Sequence, residues 1–315
     1  MPPPAHQPLN PIFCLVGPTA VGKTEIAVRV LEKLTGRIIS ADARQVYRFL
    51  DIGTDKPSPE LRQRVGFEML DIVSPEEPYS AADYARDTRP VIARVTSEGV
   101  PFMLAGGSGL YLRALFAPFF AAPRVGPALR QSFARLTSPE LHAHLREIDP
   151  RTASRLHPND RQRIVRALEV FEACGKPLSE LQHSAAQQSD LTPVYVGLEL
   201  PRDLLNERID ARFDRMIAQG FVEEVRRLTR MGYGATTPSL DAIGYREVLG
   251  FIDGRWTLES AIAVARKRSR AYAKRQMTWF RHQPGIVWID ARDADRATGE
   301  VERRFLDYLT ELRRQ

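Results

Sequence analysis

The chain has 315 residues, 43% of them hydrophobic and 8% aromatic, and its 45 basic against 39 acidic residues give a formal net charge of +6. No uninterrupted apolar stretch reaches the roughly 18 residues that a membrane span needs, and two cysteines, Cys14 and Cys174, supply neither a disulfide framework nor metal-ligand spacing. The length allows a large domain with a smaller one beside it; the start, MPPPAHQPLNP, has no apolar signal core and no Arg-rich amphipathic pattern, so a cytoplasmic protein with a disordered Pro-rich tip is expected. The modest positive charge fits nucleic acid or another anionic ligand without choosing between them.

Ile12 to Val16 reads as a buried strand and Thr24 to Leu34 as a helix. Between them stands GPTAVGKT, that is Gly17, Pro18, Thr19, Ala20, Val21, Gly22, Lys23 and Thr24. It satisfies G-x-x-x-x-G-K-[ST] with a strand before it and a helix after it, the context that makes the pattern a phosphate loop. The loop N–H groups and the helix start present positive ends to an anion, Lys23 adds a point charge, and the Thr24 hydroxyl suits Mg²⁺. A turn without a ligand leaves a lysine among positive ends unexplained, yet the eight residues admit a diphosphate as readily as a triphosphate.

Arg37 to Asp42, RIISAD, predicts a second strand whose polar end opens SADARQVYR, Ser40 to Arg48. Ligands of open α/β sheets bind at that carboxyl edge. Asp42 reads as a metal ligand, as a general base, or as a plain turn or N-cap aspartate. Gln45, Tyr47 and Arg48 add an amide, aromatic and basic cluster suited to a base or a phosphate. Phe67 to Val73 and Val100 to Gly107 read as further strands around a helix over Ala81 to Ser97, which predicts a mostly parallel α/β sheet. The glycine turn GGSGLYL, Gly106 to Leu112, follows at the same edge and makes Ser108 a candidate contact to phosphate or substrate.

From Pro118 to Gln188 the strands vanish, and the segment becomes polar, Arg-rich and helical, with breaks at Pro123, Pro139, Pro150, Pro158 and Pro177. It reads as a helical insertion over residues 119–189 within a core of residues 1–118 and 190–315, and NDRQRIVRAL gives it Arg161, Arg163 and Arg166. Val194 to Leu200 returns to the sheet, and the chain from Leu204 onward is mainly helical. Along NERIDARFDRM, Arg208, Arg212 and Arg215 fall within roughly 60° of one another beside an apolar stripe, with Arg212 nearest the buried edge. An arginine there either snorkels or meets an anion in a cleft. Ala265 to Gln283, ARKRSRAYAKRQMTWFRHQ, carries seven basic residues and no acidic one. Lys267, Arg270, Lys274 and Arg281 share one stripe, and with Tyr272, Trp279 and Phe280 interleaved it favours a polyanion.

GPTAVGKT, SADARQVYR, YSAADYARD, GGSGLYLRAL, NDRQRIVRALEVFEACGKPLSE, RFDRMIAQGFVEEV, AIGYREVLGF and YAKRQMTWFR together resemble the signatures, in order, of the bacterial-type tRNA dimethylallyltransferase (tRNA isopentenyltransferase) family. The resemblance runs from Pro11 to His282. It implies a P-loop NTPase-like α/β core, a parallel sheet flanked by helices, with an inserted all-helical domain that grips the anticodon stem-loop of tRNA. It implies transfer of a dimethylallyl group from dimethylallyl diphosphate to N6 of the adenosine 3′ of the anticodon, with Mg²⁺ as cofactor and no membrane partner; a monomer is expected. Asp42 is then the general base and Gln45 a reader of the base, while Ser108 and Arg212 contact the donor and its diphosphate. Gln162, Arg163, Lys274, Arg275 and Gln276 lie along the tRNA, and Asp42, Ala43, Arg44, Gln45, Arg161 and Arg166 join that RNA-facing set. The chain departs from the family pattern in having Ser108 where threonine is commoner, no His-His pair in VGFEML, and no zinc-binding C-terminal extension. A small-molecule or nucleotide kinase and a nucleic-acid-stimulated ATPase are the alternatives, and both require nucleotide turnover.

Overall fold

A computed structural model describes residues 10–117, 126–184 and 190–314. The Pro-rich start up to Leu9, Pro123 and Gln188 lie outside the described residues. Six strands, β1 (Asn10–Val16), β2 (Arg37–Ala41), β3 (Gly66–Glu68), β4 (Phe102–Gly106), β5 (Leu191–Glu199) and β6 (Val287–Asp290), form one sheet in the order β3-β2-β4-β1-β5-β6. All five pairings are parallel. Helices cover the sheet, so β1 reads as the unbroken apolar run IFCLV, with Ile12 to Val16 all buried and Cys14 among them as a free thiol. Pro193 is tolerated inside β5 because β6 pairs only from Val196 onward, so the proline stands where β5 has one neighbour.

Three expectations shift. The first helix runs over Lys23–Glu32, not to Leu34. The apolar run Phe67 to Val73 yields only the short β3, because Met69 and Asp71 turn to positive φ of 63° and 57° and Val73 keeps a single bridge to Tyr47. Asp71 is drawn out of the strand by Lys56 Nζ at 2.6 Å and an Arg62 guanidinium nitrogen at 2.8 Å. Burial alone would raise its carboxyl; the two cations outweigh burial and hold it below the usual carboxylate range. The third is β6, a strand within a tail that reads as helical.

The chain divides into a unit of Met1–Phe116 with Asp190–Gln315 and a second unit of Ala117–Ser189. In the second, helices Pro127–Ala134, Ser138–Ile148, Pro150–Ala153, Arg161–Cys174 and Leu178–Ser184 enclose a small core that includes Phe133, Leu141, Leu145, Ile164 and Leu168. Pro139 and Pro150 occupy helical first turns, where a missing N–H costs nothing. Thr137 and Glu140 form a capping box at one helix start, and the Asp149 carboxylate accepts from the backbone N–H of Thr152 and Ser179, tying two helix starts together. Among the described residues no helix is long and apolar enough to cross a membrane.

Candidate active site

The strand order sets three turns side by side at the carboxyl edge. The phosphate loop leaves β1, the glycine turn leaves β4, and Asp42 follows β2. β4 lies between β1 and β2, and Gly106 pairs with Val16 on one side and Ala41 on the other. A side chain at Gly106 would put a Cβ 2.2 Å from the Ala41 carbonyl oxygen, so only glycine fits. Ser108 accordingly fastens the glycine turn to the Asp42 turn: its Oγ accepts from the Ala43 N–H at 2.9 Å, and its own N–H donates to the Ala41 carbonyl at 3.2 Å.

In the phosphate loop Gly17 and Gly22 adopt φ of 145° and 104°, and Gly22 turns left-handed to start the helix at Lys23. Lys23 Nζ donates to the carbonyls of Gly17 at 3.1 Å and Pro18 at 2.7 Å. Burial of this ammonium lowers its pKa to about 8; the Arg212 charge pushes the same way, and the Asp42 and Asp55 carboxylates oppose it. The residue as a whole is half-buried, so the desolvated part is its tip. The Thr24 hydroxyl has no hydrogen-bond partner among the described residues and lines the cleft.

Gln276 corrects the sequence reading. Expected along the tRNA, it is buried, with Oε1 accepting from the Thr19 N–H at 2.8 Å and Nε2 donating to the Gly107 carbonyl at 2.9 Å. It is a strut between the two loops, and it lines the cleft from there. Gln276→Ala should leave one buried donor and one buried acceptor unpaired and cost about 1–3 kcal/mol. The check is a denaturant melt; an unchanged midpoint would show that the strut bears no load.

Of its three readings, Asp42 shows the turn aspartate, and its second oxygen stays open to the cleft. Oδ1 accepts from the N–H groups of Arg44 at 2.8 Å and Gln45 at 3.3 Å, which is the turn aspartate. Oδ2 has no hydrogen-bond partner among the described residues, and the residue lines a cleft of about 670 Å³ together with Thr19, Lys23, Thr24 and Arg212. The cluster expected beside it is split. Gln45 lines the cleft, with its Nε2 donating to the carbonyls of Thr54 and Asp55, both at 3.2 Å, and its Oε1 accepting from Ser40 Oγ at 3.2 Å. Tyr47 is buried, and Arg48 donates to the Asp71 carbonyl at 3.1 Å; neither lines the cleft, and nor do Ala43 and Arg44.

Of the three arginines on helix Arg202–Ala218, Arg212 does reach the cleft: its Nη1 donates to Thr19 Oγ1 at 2.5 Å. Arg208 donates to the Val21 carbonyl at 3.2 Å, and exposed Arg215 stands at the cleft wall. The sequence reading missed Asp55, Lys56, Arg64 and the cleft role of Tyr272. Tyr272 could have been found from its spacing: it lies one helical turn before Gln276. Burial first, and then the Asp42 charge, raises its phenol above the ordinary range, so it stays a neutral donor.

The basic helix Leu258–Arg281 is less unbalanced in space than in sequence. Arg266 pairs with Asp214, Arg268 with Glu247, Arg270 with Asp210, and Arg281 with Glu199 at 3.7 Å. Of the expected stripe, Arg270 and Arg281 are thus neutralised, while exposed Lys267, Lys274 and Arg275 have no ion pair among the described residues. The Arg275 guanidinium lies 5.7 Å from the centroid of the Tyr272 ring. In the insertion, Arg161 is a structural tie, donating to the carbonyls of Leu136 and Phe133, both at 2.6 Å, at the end of a helix. Arg166 pairs with Glu169 at 2.9 Å. Gln162 and Arg163 are exposed, Arg163 holding only a 3.4 Å contact to Asp160.

A parallel sheet with a G-x-x-x-x-G-K-[ST] loop leaving its interior strand, and a carboxylate at the same edge, defines a P-loop α/β protein with a helical insertion. The model of the IPP transferase family matches residues 45–283, and the chain belongs to that family. It is 45% identical over 285 residues to a tRNA dimethylallyltransferase of Geobacter sulfurreducens, covering 89% of this chain and 91% of that one. To the Syntrophobacter fumaroxidans tRNA dimethylallyltransferase it is 41% identical over 302 residues, 94% of this chain and 88% of the relative. The crystal structure of a full-length tRNA isopentenylpyrophosphate transferase from Bacillus halodurans superposes with a TM-score of 0.71 at 35% identity, over 97% of this chain and 98% of that one.

Proposed function

We propose that the chain transfers the dimethylallyl group of dimethylallyl diphosphate to N6 of the adenosine 3′-adjacent to the anticodon of a tRNA, releasing diphosphate. One observation carries this reading: a carboxylate oxygen without a partner, Asp42 Oδ2, shares a single cleft with the phosphate loop and Arg212. An exocyclic adenine amine is a poor nucleophile because its lone pair is delocalised into the ring. Asp42 Oδ2 takes the N6 proton as the new C–N bond forms, and the allylic C–O bond breaks with its electron pair going to diphosphate. Lys23, Arg212 and the loop N–H groups stabilise the charge on the departing oxygen. The Arg44 and Gln45 N–H groups hold the other carboxylate oxygen and so orient the base. Ser108, whose Oγ accepts from Ala43 and whose side chain is hydrogen-bonded to Tyr272, holds the glycine turn in place beside the donor substrate.

The unpartnered Thr24 hydroxyl at the head of the phosphate loop fits Mg²⁺, which would be held by Thr24 with diphosphate oxygens and would add positive charge at the leaving group. In this reading the insertion grips the anticodon stem-loop through Gln162 and Arg163, while Lys274 and Arg275 meet the RNA backbone. Incubation with unmodified tRNA, dimethylallyl diphosphate and Mg²⁺ but no ATP should yield prenylated adenosine by mass spectrometry. No product, or ATP hydrolysis on adding tRNA, would replace the transferase by one of the nucleotide-consuming alternatives. Lys274→Ala should weaken tRNA binding and reduce the slope of log affinity against log salt by about one; the readout is a filter-binding series over salt, and an unchanged slope would mean that Lys274 is merely solvated.

A further inference from the structure

The cleft holds a charge that the transfer chemistry does not use. Asp55 lines the same cleft as the phosphate loop, and its carboxylate lies 3.4 Å from Arg212 Nε. Its backbone is left-handed, with φ of 54°, a conformation a non-glycine residue holds only where its surroundings enforce it. They do so from several sides. Gln45 Nε2 grips the carbonyls of Thr54 and Asp55, and the Asp55 N–H donates to the Ile52 carbonyl at 3.0 Å. Buried Lys56 ties the loop to the Tyr47 carbonyl at 2.5 Å and to Asp71, while the Glu224 carboxylate accepts from the N–H groups of Asp51, Ile52 and Gly53. A rigid loop therefore delivers a negative side chain into a cleft built for anions.

That charge opposes an anionic ligand, yet it offsets the cations beside it. Every deep cation is already engaged by the chain itself: Lys23 by two loop carbonyls, Arg208 by the Val21 carbonyl, and Arg212 by the Thr19 hydroxyl and Asp55. Arg212 Nε is buried and makes no hydrogen bond, so its contact with Asp55 is Coulombic only. The Asp55 side chain is 56% exposed, leaving it free to turn into water when a better anion arrives. Such a pair is weak, which is what a replaceable partner requires.

We propose that Asp55 is a stand-in anion for Arg212: it neutralises the guanidinium when no other anion does, yields it to the incoming diphosphate group, and competes for it again when the product diphosphate leaves. This rests on reading the phosphate loop as a diphosphate site. Asp55 then weakens diphosphate binding and speeds its release, a positioning role in which it never touches the reacting atoms. Asp55→Asn keeps the size of the side chain and tolerates the left-handed backbone, and Asp55→Gly removes the charge at a φ that glycine accepts.

The test is calorimetric titration of inorganic diphosphate into the unaltered chain, its two Asp55 variants, and each of these three with Arg212→Ala. Both Asp55 variants should bind diphosphate about fivefold more tightly, show stronger product inhibition to match, and lose most of that gain in the Arg212→Ala background. Unchanged or weaker binding in both variants would overturn the inference and make Asp55 a loop-shaping residue. A gain that survives undiminished without Arg212 would overturn it too, as a diffuse charge effect. Failure of the unaltered chain to bind diphosphate would instead remove the parent reading, and this inference with it.

Discussion

Asp42→Asn should lower kcat by about 10²- to 10⁴-fold while leaving tRNA affinity nearly unchanged. The substitution separates the two jobs of the side chain. An asparagine Oδ1 can still accept from the Arg44 and Gln45 N–H groups, so the turn and the strand exit survive. The other oxygen becomes an NH₂, which has no lone pair available to take a proton from the adenine amine. Single-turnover transfer with saturating tRNA reads the chemical step, and an equilibrium binding assay reads the rest. Equal losses in both would demote Asp42 to the turn residue that its Oδ1 already is.

Lys23→Met should cost about 10²- to 10³-fold in kcat, the usual effect of deleting one positive group aimed at developing charge. The variant keeps the length of the side chain but removes the ammonium that bonds the Gly17 and Pro18 carbonyls, and a thermal melt checks that the loop tolerates the loss. A pH series distinguishes charge from bulk. Burial lowers the pKa of the Lys23 ammonium to about 8, so it is positive below that pH and neutral above it. Diphosphate binds the positive form, so affinity should fall as pH rises through 8 and recover on returning below it. The methionine variant should lose this dependence; if it keeps the same profile, the titrating group lies elsewhere in the cleft.

The parts of the site that depend on near neighbours along the chain are legible in the sequence itself. The phosphate loop is one strand, one turn and one helix, and its residues fall where the pattern puts them. Asp42 and Ser108 are legible as ends of strands. Their spacing is not, since placing β4 between β1 and β2 is a matter of strand order, which no local pattern records. Gln276 misleads for a related reason. On its own helix it belongs to a basic, polar run, and only the approach of Thr19 and Gly107 turns it inward. The sequence overstates the charge of that helix because Asp210, Asp214 and Glu247, which neutralise three of its arginines, are each at least 21 residues away from their partners along the chain. VWID escapes notice as a strand because four residues are too few for alternation to show.

One guanidinium marks where the helical insertion is spliced into the core. Arg89 donates through Nη2 to the Leu115 carbonyl at 2.9 Å, just before the chain leaves, and pairs through Nη1 with Asp190, where it returns. The exit and the re-entry are therefore no farther apart than one side chain can span, and the Asp190 carbonyl is fastened in turn to the Asn10 N–H at the start of β1. A segment with adjoining ends can be lengthened, shortened or exchanged without stretching the sheet, much as a cassette is changed in its holder. The insertion can then change in length or sequence while the strands that carry the cleft keep their register.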